Sequence, residues 1–368
     1  MIHYPVYNPF LHGNEKKYVI ECLDSRWISS KGHFVHDFEE KFSNYVNVKY
    51  ATTVSNGTTA LHLALVALGI TNGDEVIVPT FTYVASANPI KMVGATPVFV
   101  DCLHKSWQMN PEDVRKKISD KTKAIIVVHL YGHPCEMDTI MEIANENNLY
   151  IIEDCAEAIG TKYKNKHVGT FGIIGCFSFF GNKTITCGEG GMVVCSDEQL
   201  FEKVIHLKSQ GVSKDREYWH DVVAYNYRMT NLQAAIGVAQ LEQISVIMER
   251  KQKIAEWYNK YLSGLPVIFH NSISKEIVHS YWMCSILVEN ENIRMMLREY
   301  LKERGVETRP TFPTIHLMPM YIADCNSVFP VAERISKTGI NLPSYPDLVE
   351  RDVKYICSII ENFYKSRL

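Results

Sequence analysis

The sequence contains no run of about 18 apolar residues, so no segment of it reads as a membrane-spanning helix. Residues 1–14 show no basic stretch followed by an apolar one, and no secretion signal is expected. Ten cysteines are scattered without a Cys-x-x-Cys pair or the Cys/His spacing of a zinc site. That pattern points away from a metal and towards small buried thiols in a reducing cytoplasm. An excess of one charge is missing too. Against 41 acidic residues stand 38 Lys and Arg, a formal net charge of -3, which gives no reason to expect nucleic acid or a membrane surface as partner. Low-complexity tracts and internal repeats are absent. What remains is an ordinary globular composition, 46% hydrophobic and 21% charged, over 368 residues, a length that suits one large domain and a smaller one.

Between residues 50 and 200, short Val- and Ile-rich runs alternate with helical patterns. The runs are Tyr50–Ser55, Glu75–Pro79, Pro97–Asp101, Ala124–His129, Tyr150–Asp154, Cys176–Phe180 and Gly191–Cys195. Several are apolar throughout, as strands covered on both faces must be. Helices are expected at Thr58–Leu68, Tyr83–Val93, Glu136–Asn147 and Glu198–Ser209. This alternation predicts an α/β sandwich with a mostly parallel sheet. From Asn231 one long helix is expected to reach Leu262, where Gly264-Leu-Pro266 stops it. The division is therefore a large α/β domain over 1–250, with its N-terminal arm, and a small α+β domain over 251–368. The latter carries an extended segment at Ser280–Val288 and a helix at Asn292–Arg304.

Three places carry chemistry. Lys183 lies in a polar turn between a strand and the Gly188-Glu-Gly-Gly191 hairpin. There a partly desolvated amine can form a Schiff base, although a loop lysine is more often simply solvated. Asp154 ends an apolar strand, where α/β folds place ligand groups; beside a pyridine ring it would keep the ring nitrogen protonated, and otherwise it caps the next helix. Ser55-Asn-Gly-Thr-Thr59 opens a helix directly after a strand. Its free N–H groups suit a phosphate, or it is an ordinary Asn-Gly turn.

In the order Gly57-Thr58, Asp154, Ser178 and Lys183, these elements form the pattern of the aspartate-aminotransferase fold, fold type I for pyridoxal phosphate. At this point the chain resembles the DegT/StrS-type sugar aminotransferases, from about Pro5 to the C-terminus. The passages are Trp27-Ile-Ser-Ser-Lys-Gly32, Ala51-Thr-Thr-Val-Ser-Asn-Gly-Thr58, Phe177-Ser-Phe-Phe-Gly-Asn-Lys-Thr-Ile-Thr186, Tyr218-Trp-His-Asp221 and Tyr225-Asn-Tyr-Arg-Met-Thr-Asn231. The resemblance implies that Lys183 holds pyridoxal 5'-phosphate and shuttles a proton in its pyridoxamine half-cycle. Asp154 would pair with the pyridine nitrogen, and Gly57, Thr58 and Ser178 would hold the phosphate, joined by Asn226 of a second subunit. Tyr83 would lie on the ring face. Relatives that dehydrate sugars carry histidine at position 183, so lysine favours amino transfer.

Within the family the likeness is nearest to enzymes that take an amino group from glutamate to carbon 4 of GDP-4-keto-6-deoxymannose. The same reaction on UDP- or dTDP-4-keto-6-deoxyglucose, giving a viosamine, is the alternative. The resemblance also implies a homodimer with shared active sites and a substrate groove touched by Trp27, Ser29, Ser30, His220, Arg309 and His316. Core packing for Trp27 and plain surface bonding for the two histidines remain open. Glu157 matches a position near the cofactor's phenolic oxygen, where it is either protonated or turned away. Glu189 is read as shaping the hairpin. Two passages depart from the family. Phe171-Gly-Ile173 lacks a customary acid, and Arg309-Pro-Thr-Phe-Pro-Thr-Ile-His316 shifts a proline, which re-routes the loop.

Overall fold

The computed structural model describes residues 2–272, 274–322, 325 and 327–367. Its central sheet contains β1 (Tyr50–Val54), β2 (Glu75–Pro79), β3 (Thr96–Val100), β4 (Thr122–Val128) and β5 (Tyr150–Asp154). After a small hairpin, β6 (Lys162–Tyr163) with β7 (Lys166–His167), come β8 (Ile174–Ser178) and β9 (Gly191–Cys195). The order across the sheet is β1-β9-β8-β5-β4-β2-β3. β9 runs antiparallel to both neighbours and every other pairing is parallel.

All seven expected strands form, with ends displaced by at most two residues. Their apolar runs have a direct cause. Along β2 and β4, Val76, Val78, Ala124 and Ile126 face one buried cluster, while Ile77, Ile125 and Val127 face another. Alternate side chains leave a strand on opposite faces, so helices on both faces demand apolar residues at every position.

Two expected helices change. Tyr83–Val93 is instead a 3₁₀ turn at Val84–Ser86 followed by a short helix, Asn88–Met92, with Pro89 in its first turn. Proline has no N–H to give to a preceding turn, so it starts a helix here instead of continuing one. The long helix is two helices, Asn231–Glu242 and Ile244–Leu262, with Gln243 at φ -97°, ψ 2° between them. The first packs on the N-terminal helices Glu15–Ser25 and His33–Val46, the second on the C-terminal helix Glu350–Lys365.

Beyond residue 262, β10 (Ile268–Phe269), β12 (Cys284–Leu287), β13 (Arg309–Pro310) and β14 (Gly339–Leu342) form an antiparallel sheet in the order β10-β12-β14-β13. β11 (Ile277–Val278) joins the β6–β7 hairpin. A separate apolar cluster from Ile254 to Phe363 fills this region. Trp282, Met283 and Ile315, however, pack into the core of the large sheet. The C-terminal segment is thereby held over the ends of β5 and β8.

Candidate active site

A cleft of about 450 Å3 opens at the C-terminal ends of β5 and β8, against the start of the helix Gly57–Ala67. Among its walls are Gly57, Thr58, Tyr83, Asp154, Glu157, Ser178, Lys183 and Arg309. Residues from five separate parts of the sequence thus converge on one volume.

Strand alternation sorts the paired carboxylates of β5. Glu153 points away from the cleft and accepts the N–H groups of Gly169, Phe171 and Gly172 at 2.6–2.7 Å, besides His129 Nε2 at 3.0 Å. Asp154 points into it, buried, taking the Ser86 hydroxyl at 2.7 Å and the Ala156 N–H at 3.1 Å. Burial raises its pKa, and the two hydrogen bonds and nearby Lys183 work against that rise. His129, Glu153 and Cys155 are close enough together to hold a metal ion. Their hydrogen bonds argue against it: His129 Nδ1 accepts the Cys135 N–H, which leaves Nε2–H to donate to Glu153. No ring lone pair is left to ligate.

Lys183 stands in the turn after β8, with Nζ 3.6 Å from Glu157 Oε1. Glu157 is held by the N–H of Tyr131, 2.9 Å from Oε2. Tyr131 has φ 55°, a left-handed conformation that costs a non-glycine residue about 1–2 kcal/mol. The fold sustains that strain at the point where it aims a backbone donor at Glu157. Burial lifts the Glu157 pKa to about 7, with Asp154 adding to the rise and Lys183 and the Tyr131 N–H opposing it. An acid whose pKa is raised on folding stabilises the fold at low pH and loses that contribution as pH climbs. Without cofactor, stability should therefore decline between about pH 4.5 and pH 7 with a slope of up to ~1.4 kcal/mol per pH unit from this group. Urea unfolding of Glu157→Gln across that range should lack this slope; an unchanged slope would contradict the assignment.

The phosphate-sized end of the cleft depends on glycine. A Cβ on Gly57 would lie 2.8 Å from the Ser178 Cβ, so only glycine lets the helix start approach the end of β8. Asn56 caps the helix by accepting the Thr59 N–H, and helix geometry leaves the N–H groups of Gly57 and Thr58 without an intrahelical acceptor. With the helix dipole behind them they suit a phosphate dianion. A lysine amine, a buried carboxylate and this cradle are the donor set that pyridoxal phosphate requires, and they share one cleft.

The other expected site residues lie elsewhere in the chain. Trp27 is 55% exposed and not in the core, its carbonyl accepting from the Asn231 side chain. Ser29 is exposed, and Ser30 sits in a separate hollow with Lys208 and Arg228. Asn226 is exposed and accepts from Arg228 Nε at 3.0 Å. His220 is exposed, bonded through Nδ1 to the Gln210 carbonyl. His316, by contrast, is neither a surface histidine nor part of the cleft wall. It is buried, with Nδ1 2.7 Å from the Thr80 hydroxyl and Nε2 3.5 Å from Glu333. Glu189 sits in the hairpin between Gly188 and Gly190, both at positive φ, and lines the cleft. Ser86, Trp282 and Phe312 were not anticipated from sequence. They come from segments without a local motif, and only tertiary packing brings them to the cleft.

A family model described as the DegT/DnrJ/EryC1/StrS aminotransferase family matches residues 9–361. The chain belongs to this family. Among the relatives of this DegT-type aminotransferase is the GDP-perosamine synthase of Escherichia coli O157:H7, 56% identical over 100% of both chains. That of Vibrio cholerae is 52% identical, covering 98% of this chain and 99% of its own. Spr1654 from Streptococcus pneumoniae, solved in a PMP-form, superposes with a TM-score of 0.94 at 26% identity over 99% of this chain and 100% of that one. The expected aspartate-aminotransferase-like fold is the fold of the DegT aminotransferase. No described helix is long and apolar enough to cross a membrane.

Proposed function

We propose that this aminotransferase binds pyridoxal phosphate through Lys183 and moves the amino group of glutamate to carbon 4 of GDP-4-keto-6-deoxymannose. The observation that carries the reading is the placement of Lys183 Nζ and the buried Asp154 carboxylate in one cleft with the Gly57 cradle. The substrate follows from the two full-length relatives named GDP-perosamine synthase, and the cofactor from the PLP- and PMP-forms of Spr1654. When bound, the cofactor supplies the electron sink that makes a carbon–hydrogen bond beside nitrogen acidic.

The chain's own residues do the rest. Gly57, Thr58 and Ser178 would hold the phosphate, Tyr83 would line the ring, and Asp154 would keep a proton on the pyridine nitrogen. Lys183 Nζ, with Glu157 beside it, would be the group that takes and returns a proton. Asn226, Trp27, Ser29 and His220 reach a cleft only if a second copy brings them, since each is exposed outside its own. We therefore propose a homodimer with shared sites; Tyr218 and Val223, 97% and 94% exposed, lie in the same stretch as His220 and Asn226. With both ring nitrogens engaged inside the chain, His316 serves to hold the 309–316 loop and does not touch the sugar. Division near residue 250 into two domains is supported by the separate C-terminal cluster, and a cytoplasmic location by ten free cysteines.

The nucleotide is tested by supplying glutamate with GDP-, UDP- and dTDP-linked 4-keto-6-deoxyhexoses. The GDP substrate should react at least about tenfold faster, a discrimination of about 1.4 kcal/mol. Equal or faster turnover of the dTDP or UDP sugar would overturn the assignment in favour of a viosamine product. A deoxygenated product formed without glutamate would instead indicate dehydration.

A further inference from the structure

Trp282 touches Lys183 in two ways. The face of its indole lies 4.1 Å from Lys183 Nζ, and its Nε1–H donates to the Asn182 carbonyl at 2.6 Å. The carbonyl of Lys183 itself accepts the Tyr7 hydroxyl. Both carbonyls flanking the lysine are thus pinned by aromatic side chains from distant parts of the chain. Trp282 is in turn fixed: it is 4% exposed and stacks on Tyr131, centroids 6.0 Å apart and planes 10° from parallel. Phe312 stacks on Tyr131 at 5.3 Å and 16° and on Trp282 at 6.4 Å and 26°, and its N–H donates to the Tyr131 hydroxyl. Tyr131 is the residue whose N–H holds Glu157. One aromatic wall therefore aligns both partners of the Lys183 amine.

We infer that Trp282 is a positioning residue that holds the free Lys183 amine in the cleft and stabilises the ammonium formed when it takes up a proton, before that proton is returned to the reacting carbon. The inference rests on the reading of Lys183 as the proton-carrying amine. An indole face carries negative charge density and attracts an ammonium more than a neutral amine, most strongly where water is excluded. The other charged groups facing the amine are Glu157 at 3.6 Å, Asp154 on β5, Glu189 from the hairpin and Arg309 from β13. Trp282 differs from all of them in favouring the cation without itself carrying a charge that titrates near neutral pH. It also acts from the C-terminal segment, so the seating of that segment tunes an amine more than 90 residues away in sequence.

The test is competitive labelling of the full-length, cofactor-free protein with acetic anhydride at a series of pH values, the Lys183 peptide being followed by mass spectrometry. Trp282→Leu keeps the apolar cover but removes the ring, and its labelling midpoint should fall by about half to one and a half pH units. Trp282→Phe keeps a weaker ring and should fall in between. A leucine variant that titrates with the wild type overturns the inference. If circular dichroism shows that Trp282→Leu does not fold, the phenylalanine variant decides, and coincidence with wild type overturns it. Borohydride fixation of pyridoxal phosphate on wild-type Lys183 separates the two readings. Fixation with unmoved midpoints sinks only the role of Trp282, and absence of fixation sinks the parent reading.

Discussion

Lys183→Ala should lower amino transfer by about 10⁴-fold or more, an increase in barrier of roughly 5.5 kcal/mol or greater. Two functions are lost together. The amine proposed to hold the cofactor disappears, and so does the base proposed to move the proton, for which no second lysine lines the cleft among the described residues. Glu157, 3.6 Å from Nζ, is the nearest group that could substitute, but its short side chain is tied to the Tyr131 N–H. The variant protein should no longer turn yellow with pyridoxal phosphate, and borohydride should fix none to the chain. The fold should survive, because Glu157 keeps the Tyr131 N–H and, with its raised pKa, can be neutral once the amine is gone, and Trp282 keeps its own bond to the Asn182 carbonyl. Retention of wild-type turnover in a folded Lys183→Ala protein would remove the basis of the proposed function.

The second large effect is expected at Asp154. Asparagine has the same shape but cannot hold a proton on a ring nitrogen by charge, and turnover should fall by about 10²–10³-fold. Stability should move in the opposite sense. Burial raises the pKa of Asp154, so the folded, cofactor-free protein disfavours the carboxylate. As pH rises through that raised value the wild type loses stability, whereas asparagine does not titrate. Melting temperatures of the two cofactor-free proteins should therefore shift in favour of Asp154→Asn with increasing pH. This is the trade expected where a buried charge is kept for chemistry and not for folding. A variant that keeps full activity, or a stability difference that ignores pH, would show that Asp154 is only a structural carboxylate.

Strand β5 shows how far a sequence can be read. Tyr150-Ile-Ile-Glu-Asp154 ends in two acids, and the period of a strand guarantees that they face opposite sides. Which side holds the cleft is not a local property. It depends on β8 lying next to β5 and on the helix from Gly57 packing across both, and so on contacts spanning a hundred residues. The long helix from Asn231 was over-extended for a similar reason. Its apolar periodicity runs on past Gln243, and no glycine or proline marks the break there. The two halves part because one packs on N-terminal helices and the other on the C-terminal helix. A motif places His316 either at the sugar or on the surface, and only the fold shows it buried, with Thr80 and Glu333, both distant in sequence, beside its two nitrogens.

The sequence by itself determined the α/β class and the strands of the main sheet, because side-chain period and the alternation of apolar runs with helical patterns are short-range properties. Gly57, Asp154, Ser178 and Lys183 were implied by resemblance to the family's motifs and not by any short-range rule. Only the tertiary structure decided the state of those groups. Lys183 meets an indole face and a carboxyl raised to about pKa 7, and Asp154 is desolvated, because burial and charge proximity are sums over neighbours that the chain order does not specify.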